Sequence, residues 1–141
     1  MVETNIDDAP AEWIGLEFQN KLLEKGAIDF YYTSIQMKKG RPGWKLSVLV
    51  EPSFLTNICD YILENTSSIG LRYYSVDRQI LTRRQLELET KYGKILLKEV
   101  ITPSGKKRYK IENDTLQKIN KLYNISLPQL HAELYPLLKK L

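Results

Sequence analysis

The sequence has one cysteine, Cys59, and one histidine, His131. A single thiol excludes an internal disulfide, which fits a reducing compartment, and one thiol plus one imidazole makes a poor dedicated site for a transition metal that favours nitrogen and sulfur ligands. Cys59 falls on an apolar helical face and His131 on the last predicted helix, so a Cys-His catalytic pair would have to join distant elements. No apolar run approaches the roughly 18 residues of a membrane span, and the amino terminus lacks the basic-then-apolar order of a signal peptide. The expectation is a soluble, cytoplasmic protein with no membrane partner and no redox chemistry. Internal repeats and low-complexity segments are also missing, and 141 residues suit a single domain over 1–141 whose core needs no staple.

What is present is an uneven charge. The net charge is +4, yet residues 1–35 hold 7 acids and 2 bases while the remainder holds 10 acids and 19 bases. The basic part can attract an anion. Arg72, Arg78, Arg83, Arg84, Lys106, Lys107 and Arg108 are scattered rather than gathered into a stripe, which disfavours nucleic acid and suits a small polyanion at least as well.

Val2 to Ile6 alternates like a short strand, and a helix is predicted from Pro10, with Ala11, Ile14, Gly15, Phe18 and Leu22 on one face and Gly26 as its stop. Ala27 to Ile35 and Trp44 to Val50 are rich in aromatic and β-branched residues and read as strands. Pro52 or Ser53 opens a second helix carrying Phe54, Ile58 and Ile62, and Leu71 to Val76 reads as a fourth strand. This β-α-β-β-α-β order predicts an α+β fold with a ferredoxin-like core over about 1–78. A β-meander follows over about 80–112, built from Leu81–Thr90, Lys94–Thr102 and Arg108–Ile111. A helical tail completes the chain over about 113–141. Its first helix is capped by Asn113 or Asp114, and its second opens on a Ser126/Gln129 capping box.

Three constellations can carry chemistry. Met37-Lys38-Lys39-Gly40-Arg41-Pro42-Gly43 packs three cations between glycines and a proline, an arrangement that can be preorganised for phosphate. Each close charge pair there is worth about 4 kcal/mol before desolvation at an effective dielectric near 20. The same residues also suit a solvated hairpin tip, and they are not the P-loop pattern. Asp7 and Asp8 end a strand and precede a helix; they can hold Mg²⁺ or Mn²⁺ with substrate phosphates, directly or through water, or serve as ordinary helix-start acids. Thr66-Ser67-Ser68-Ile69-Gly70-Leu71-Arg72 offers hydroxyls, amides and an arginine to a phosphate, ribose or base, or simply terminates a helix.

In this order and spacing, the blocks Glu3-Thr4-Asn5-Ile6-Asp7-Asp8 with Pro10 and Glu12, Gly26-Ala27-Ile28-Asp29, and Thr33 to Gly43 resemble the carboxy-terminal half of the LarC family of nickel-insertion proteins. A weaker match runs through Thr66 to Arg72 and Leu127-Pro128, so nearly the whole chain takes part. Ala9 before Pro10 and Asn65 before the hydroxyl series depart from the family pattern. The resemblance implies a CTP-dependent nickel insertase (a lyase) of nickel-pincer cofactor synthesis. It would use Mn²⁺ or Mg²⁺ with CTP, release CMP and pyrophosphate, and insert nickel into a pyridinium bisthiocarboxylate mononucleotide. It also implies nucleotide-binding roles for Thr4, Asn5, Lys38, Lys39, Gly40, Arg41, Thr66, Ser67, Ser68, Gly70 and Arg72, and a metal role for Asp7 and Asp8. Nickel is expected mainly outside this chain, on an amino-terminal region of the same protein or on a separate polypeptide. A homo-oligomer is expected from exposed strand edges, Trp13, Trp44 and several tyrosines. Two other classes fit the residues: a non-catalytic ferredoxin-like regulatory module, and an RNA-binding domain using Tyr31, Tyr73 and Arg108.

Overall fold

The computed structural model describes residues 1–139 and 141. The expected α+β class is present, with antiparallel sheets and four α-helices among the described residues. The chain forms two compact units, Met1–Asp77 and Arg78–Leu141. None of the described helices is long and apolar enough to cross a membrane.

In the first unit, β1 (Val2–Ile6), α1 (Leu16–Glu24), β2 (Ala27–Gln36), β3 (Pro42–Val50), α2 (Leu55–Asn65) and β4 (Arg72–Tyr73) follow one another. The strands lie side by side as β2-β3-β1-β4, every neighbouring pair antiparallel. Register decides which side chains share a face, because residues directly opposite each other point the same way. Val2 stands opposite Val48, Thr4 opposite Leu46 and Ile6 opposite Trp44. Val2, Ile6, Leu46 and Val48 pack with Ile14, Phe18 and Leu22 and with Ile58 and Ile62 of α2. Each of these buried apolar side chains contributes about 1.5–3 kcal/mol. The intervening residues Glu3, Asn5, Lys45 and Ser47 therefore belong to the opposite face of the sheet.

Several boundaries differ from the sequence reading: Pro52–Phe54 is a 3-10 turn, so α2 starts at Leu55, and β3 starts at Pro42 instead of Trp44. The helix expected from Pro10 is split: Ala11–Ile14 is a 3-10 turn, and Gly15 at φ −73°, ψ −162° is extended, so α1 starts at Leu16. The fourth strand is two residues long, Arg72–Tyr73, pairing with Glu3 and Val2 of β1, instead of running from Leu71 to Val76.

In the second unit, β5 (Arg83–Thr90), β6 (Gly93–Ile101) and β7 (Lys107–Ile111) form the expected meander, followed by α3 (Asn113–Tyr123) and α4 (Leu127–Leu138). Ile95, Leu97 and Ile111 from the sheet bury against Ile119, Leu130, Leu134 and Leu138. Glu99 continues the inward-facing row and is 1% exposed, compensated by Arg84 at 2.6 and 3.3 Å and by Lys107 at 3.5 Å. The Ser126 hydroxyl accepts from the Gln129 amide as expected, but the Gln129 side chain donates to Glu133 instead of returning, so the box is one-sided. The cap of α3 is Glu112, with no side-chain cap bond, rather than Asn113 or Asp114. Lys140, within the expected helical tail, lies outside the described residues.

Candidate functional site

The cationic loop connects β2 to β3. Lys38–Gly40 makes a single 3-10 turn, closed by the Met37 amide donating to the Arg41 carbonyl at 2.8 Å. Lys39 at φ 60° and Gly40 at φ 69° are both left-handed. For glycine this costs little; for a lysine it costs about 1–2 kcal/mol, so a single backbone shape is held against local preference. Gly43 lies close against the end of β1: a methyl group there would stand 2.8 Å from the Ile6 carbonyl oxygen, 3.2 Å from Asp7 Cβ and 3.3 Å from Met37 Sδ. The absence of a side chain at Gly43 thus lets loop and acidic segment meet, and Arg41 Nη1 comes within 3.8 Å of Asp7 Oδ2.

Beside this loop, on the face of the sheet away from the helices, is a groove of about 570 Å³ lined by Asn5, Ile35, Gln36, Met37, Lys38, Lys45 and Arg72. Beneath it lies Glu3, only 7% exposed. Its carboxylate accepts from Lys45 Nζ at 3.0 Å, Ser47 Oγ at 3.1 Å and Arg72 Nε at 3.1 Å, and Arg72 Nη2 also donates to Asn5 Oδ1 at 3.3 Å. Burial alone would raise the Glu3 pKa, but the hydrogen bonds from Lys45, Ser47 and Arg72 outweigh it and hold the carboxyl below its usual range.

A second cluster forms around the helix-terminating turn after α2. The Thr66 hydroxyl donates to the Ile62 carbonyl at 2.8 Å and accepts from the Ser68 amide at 3.2 Å. Thr4, which shares the core face with Leu46 and is 2% exposed, hydrogen-bonds Ser68 Oγ and donates to the Gly70 carbonyl at 2.9 Å. Ser68 donates to the same carbonyl at 2.7 Å, and Ser67 donates to the Asp8 carboxylate.

The sequence-derived residues thus divide. Asn5, Lys38 and Arg72 come together in the groove; Lys39, Gly40 and Arg41 continue the loop beyond Lys38 without lining it, and Asp7 meets that loop at Arg41. Thr4, Asp8, Thr66, Ser67, Ser68 and Gly70 form the hydroxyl cluster, and the two sets adjoin at the Asp7-Asp8 dipeptide, one carboxylate in each. Among the described residues no group of three or more His, Cys, Asp or Glu side chains is placed to hold a metal by itself. Asp7, a single carboxylate beside the cationic loop, is the kind of ligand Mg²⁺ or Mn²⁺ uses when phosphate oxygens and water complete its coordination shell. Lys45 and Glu3 were not singled out by sequence reasoning as site residues. Strand alternation places Lys45 with Ser47, and Glu3 with Asn5, but only the Asn5–Lys45 and Glu3–Ser47 register brings the four together.

The family model described as nickel insertion protein matches residues 1–131. This chain belongs to that family. It is 38% identical over 135 residues to the pyridinium-3,5-bisthiocarboxylic acid mononucleotide nickel insertion protein of Clostridium kluyveri, covering 96% of this chain and 34% of that protein. The Clostridium acetobutylicum protein of the same name is 37% identical, with 96% of this chain and 32% of the relative covered. The chain therefore spans about a third of the length of the curated relatives it matches. Among solved structures it resembles LarC2, the C-terminal domain of a cyclometallase involved in synthesis of the NPN cofactor of lactate racemase. That likeness has a TM-score of 0.84 at 31% identity and covers 93% of this chain and 90% of that one.

Proposed function

We propose that the chain is the CTP- and divalent-metal-binding part of a cytoplasmic nickel insertase. The enzyme hydrolyses CTP to CMP and pyrophosphate while inserting nickel into a pyridinium bisthiocarboxylate mononucleotide, on the way to the nickel-pincer cofactor of lactate racemase. In this reading the first unit is a ferredoxin-like nucleotide module, as its β2-β3-β1-β4 order suggests, within a single functional domain spanning 1–141.

The observation that carries the reading is the groove, where Lys38, Lys45, Arg72 and Asn5 converge beside a loop of fixed shape bearing Lys39 and Arg41. Lys38, Lys39 and Arg41 hold the β and γ phosphates, the lysines as point charges and the arginine as a fork, and the missing side chain of Gly40 leaves the backbone open to close approach by the same anion. Asp7 helps to place Mn²⁺ or Mg²⁺, and Asp8 does so through the Ser67 contact or a water. A bound divalent ion supplies neutralisation of charge on the phosphates. Thr4, Thr66, Ser67, Ser68 and Gly70 set the shape of the turn that leads to Arg72, with the half-buried Ser67 and Ser68 hydroxyls on the side offered to the nucleotide. Attack at the α-phosphate with release of pyrophosphate needs charge stabilisation more than a protein nucleophile, which suits a site of cations and hydrogen-bond donors.

Nickel is substrate, handled mainly by an amino-terminal region, and the working enzyme is a homo-oligomer. Calorimetric titration of the chain with CTP and Mn²⁺ should give saturable binding with a preference for CTP over the other three nucleotides. Absent heat, or four equal affinities, would count against the proposal. Pyrophosphate release is expected once the amino-terminal region is supplied.

A further inference from the structure

The two ends of the groove differ in charge. Among the described residues, Lys38 and Lys39 have no carboxylate within salt-bridge distance, and Arg41 reaches Asp7 only at 3.8 Å. At the other end both cations, Lys45 and Arg72, are bound at 3.0 and 3.1 Å by the single carboxylate of Glu3. Three bases and one acid at the loop leave a surplus of two charges; two bases and one acid at the sheet end leave a surplus of one. Glu3 is fixed as well as charged: Ser47, fully buried beneath it, donates a third hydrogen bond, and nine-tenths of its surface is covered. A phosphate placed between Lys45 and Arg72 would meet this carboxylate across a short, partly desolvated gap, where like charges repel strongly. A neutral group rich in acceptors would meet only the remaining donors of Lys45 and Arg72 and the amide of Asn5.

We propose that Glu3 is a specificity-determining residue of the groove. Its carboxylate turns phosphate away from the Asn5–Lys45–Arg72 end, so that a nucleoside triphosphate lies with its phosphates on Lys38–Arg41 and its neutral, acceptor-bearing base or sugar toward Asn5 and Arg72. This inference rests on reading the groove as a nucleotide site, and it assigns that site a direction. Glu3 thereby limits the affinity of bare polyphosphate and makes the nucleoside part count in recognition.

The test is calorimetry at low salt with two probes, inorganic tripolyphosphate and CTP, on the unmodified chain and on Glu3→Gln. Glu51→Gln serves as a control that removes the same charge from an exposed position before α2. Removing one like charge near the binding path should tighten tripolyphosphate binding roughly three- to tenfold. CTP should gain less, so that the preference for CTP over tripolyphosphate falls, and Glu51→Gln should change neither value by more than about twofold at the same ionic strength. Unchanged or weaker tripolyphosphate binding by Glu3→Gln overturns the inference, as does failure of both proteins to bind tripolyphosphate. If CTP fails to bind while tripolyphosphate responds as stated, the CTP reading is lost and the role of Glu3 stands. Should Glu3→Gln not fold, amide chemical-shift changes in the unmodified chain decide the question. Tripolyphosphate should move the signals of Lys38 to Arg41 and leave those of Glu3 and Arg72 in place, whereas CTP should move both. Equal perturbation of both ends by tripolyphosphate overturns the proposal.

Discussion

Replacing Gly43 by alanine tests how the loop is fixed to β1. The new methyl would stand 2.8 Å from the Ile6 carbonyl oxygen, against about 3.3–3.6 Å for an ordinary close carbon–oxygen contact, so the strands must part by roughly half an ångström. The obstruction is a backbone carbonyl at the end of the β1–β3 ladder, next to the last pair Ile6–Trp44, so it cannot rotate aside as a side chain would. Overpacking of this kind costs about 1–3 kcal/mol, and the reduced freedom of the unfolded chain returns about 0.4–1 kcal/mol, leaving a net loss of about 1–2 kcal/mol. Both tryptophans, Trp13 and Trp44, lie in the first unit, so their fluorescence follows that unit alone during urea unfolding. With a slope of about 1 kcal/mol/M for a unit this small, the midpoint should fall by roughly 1–2 M. Because Asp7 and Met37 flank the same position, CTP affinity should also drop, on the order of tenfold. Gly40→Ala is the comparison: nothing lies within 4 Å of its new methyl, and only the left-handed backbone at φ 69° is penalised, by about 1 kcal/mol. A Gly43→Ala protein with the parental midpoint and parental CTP affinity would refute this account of how loop and strand are joined.

Two further outcomes are expected. Lys38→Ala should weaken CTP binding by about 1–2 kcal/mol, roughly five- to thirtyfold, as for loss of one partly exposed charge-assisted contact; calorimetry that finds parental affinity removes Lys38 from the site. In the second unit, hydrogen bonds from Lys91, Tyr92 and Gln129 pull the Glu133 carboxyl down from its usual value near 4.5 to about 2. A lowered carboxyl pKa stabilises the folded state fully above the unfolded value and loses that contribution as pH falls through the folded one. The melting temperature of the parent should therefore exceed that of Glu133→Gln at pH 6, and the gap should close between pH 4.5 and 2; a gap independent of pH would contradict the assignment.

The fold was legible wherever periodicity and burial agree. Val2, Ile6, Leu46 and Val48 alternate in the sequence and share the core, as do Ile58 and Ile62 at helical spacing. Boundaries were less so: the extended Gly15 interrupts a continuous apolar period, and the fourth strand shrinks to Arg72–Tyr73, the two residues that pair with β1. For the site, the sequence identified the loop and the acidic pair through composition, and their meeting at Gly43 and Asp7 follows from a close approach that no local pattern encodes. Thr4 and Asn5 are neighbours in sequence, yet strand alternation sends one hydroxyl into the core-side cluster and one amide into the groove. Lys45 and Glu3 meet through cross-strand register, which depends on the whole sheet; within a single strand each is one more alternating polar residue.

The most direct test of the central claim is a structure of the chain with CTP and Mn²⁺. The account predicts a triphosphate within hydrogen-bonding reach of Lys38, Lys39 and Arg41, a divalent ion beside Asp7, and the cytidine lying toward Asn5 and Arg72. A nucleotide bound on the second unit, or with its phosphates between Lys45 and Arg72, would contradict it.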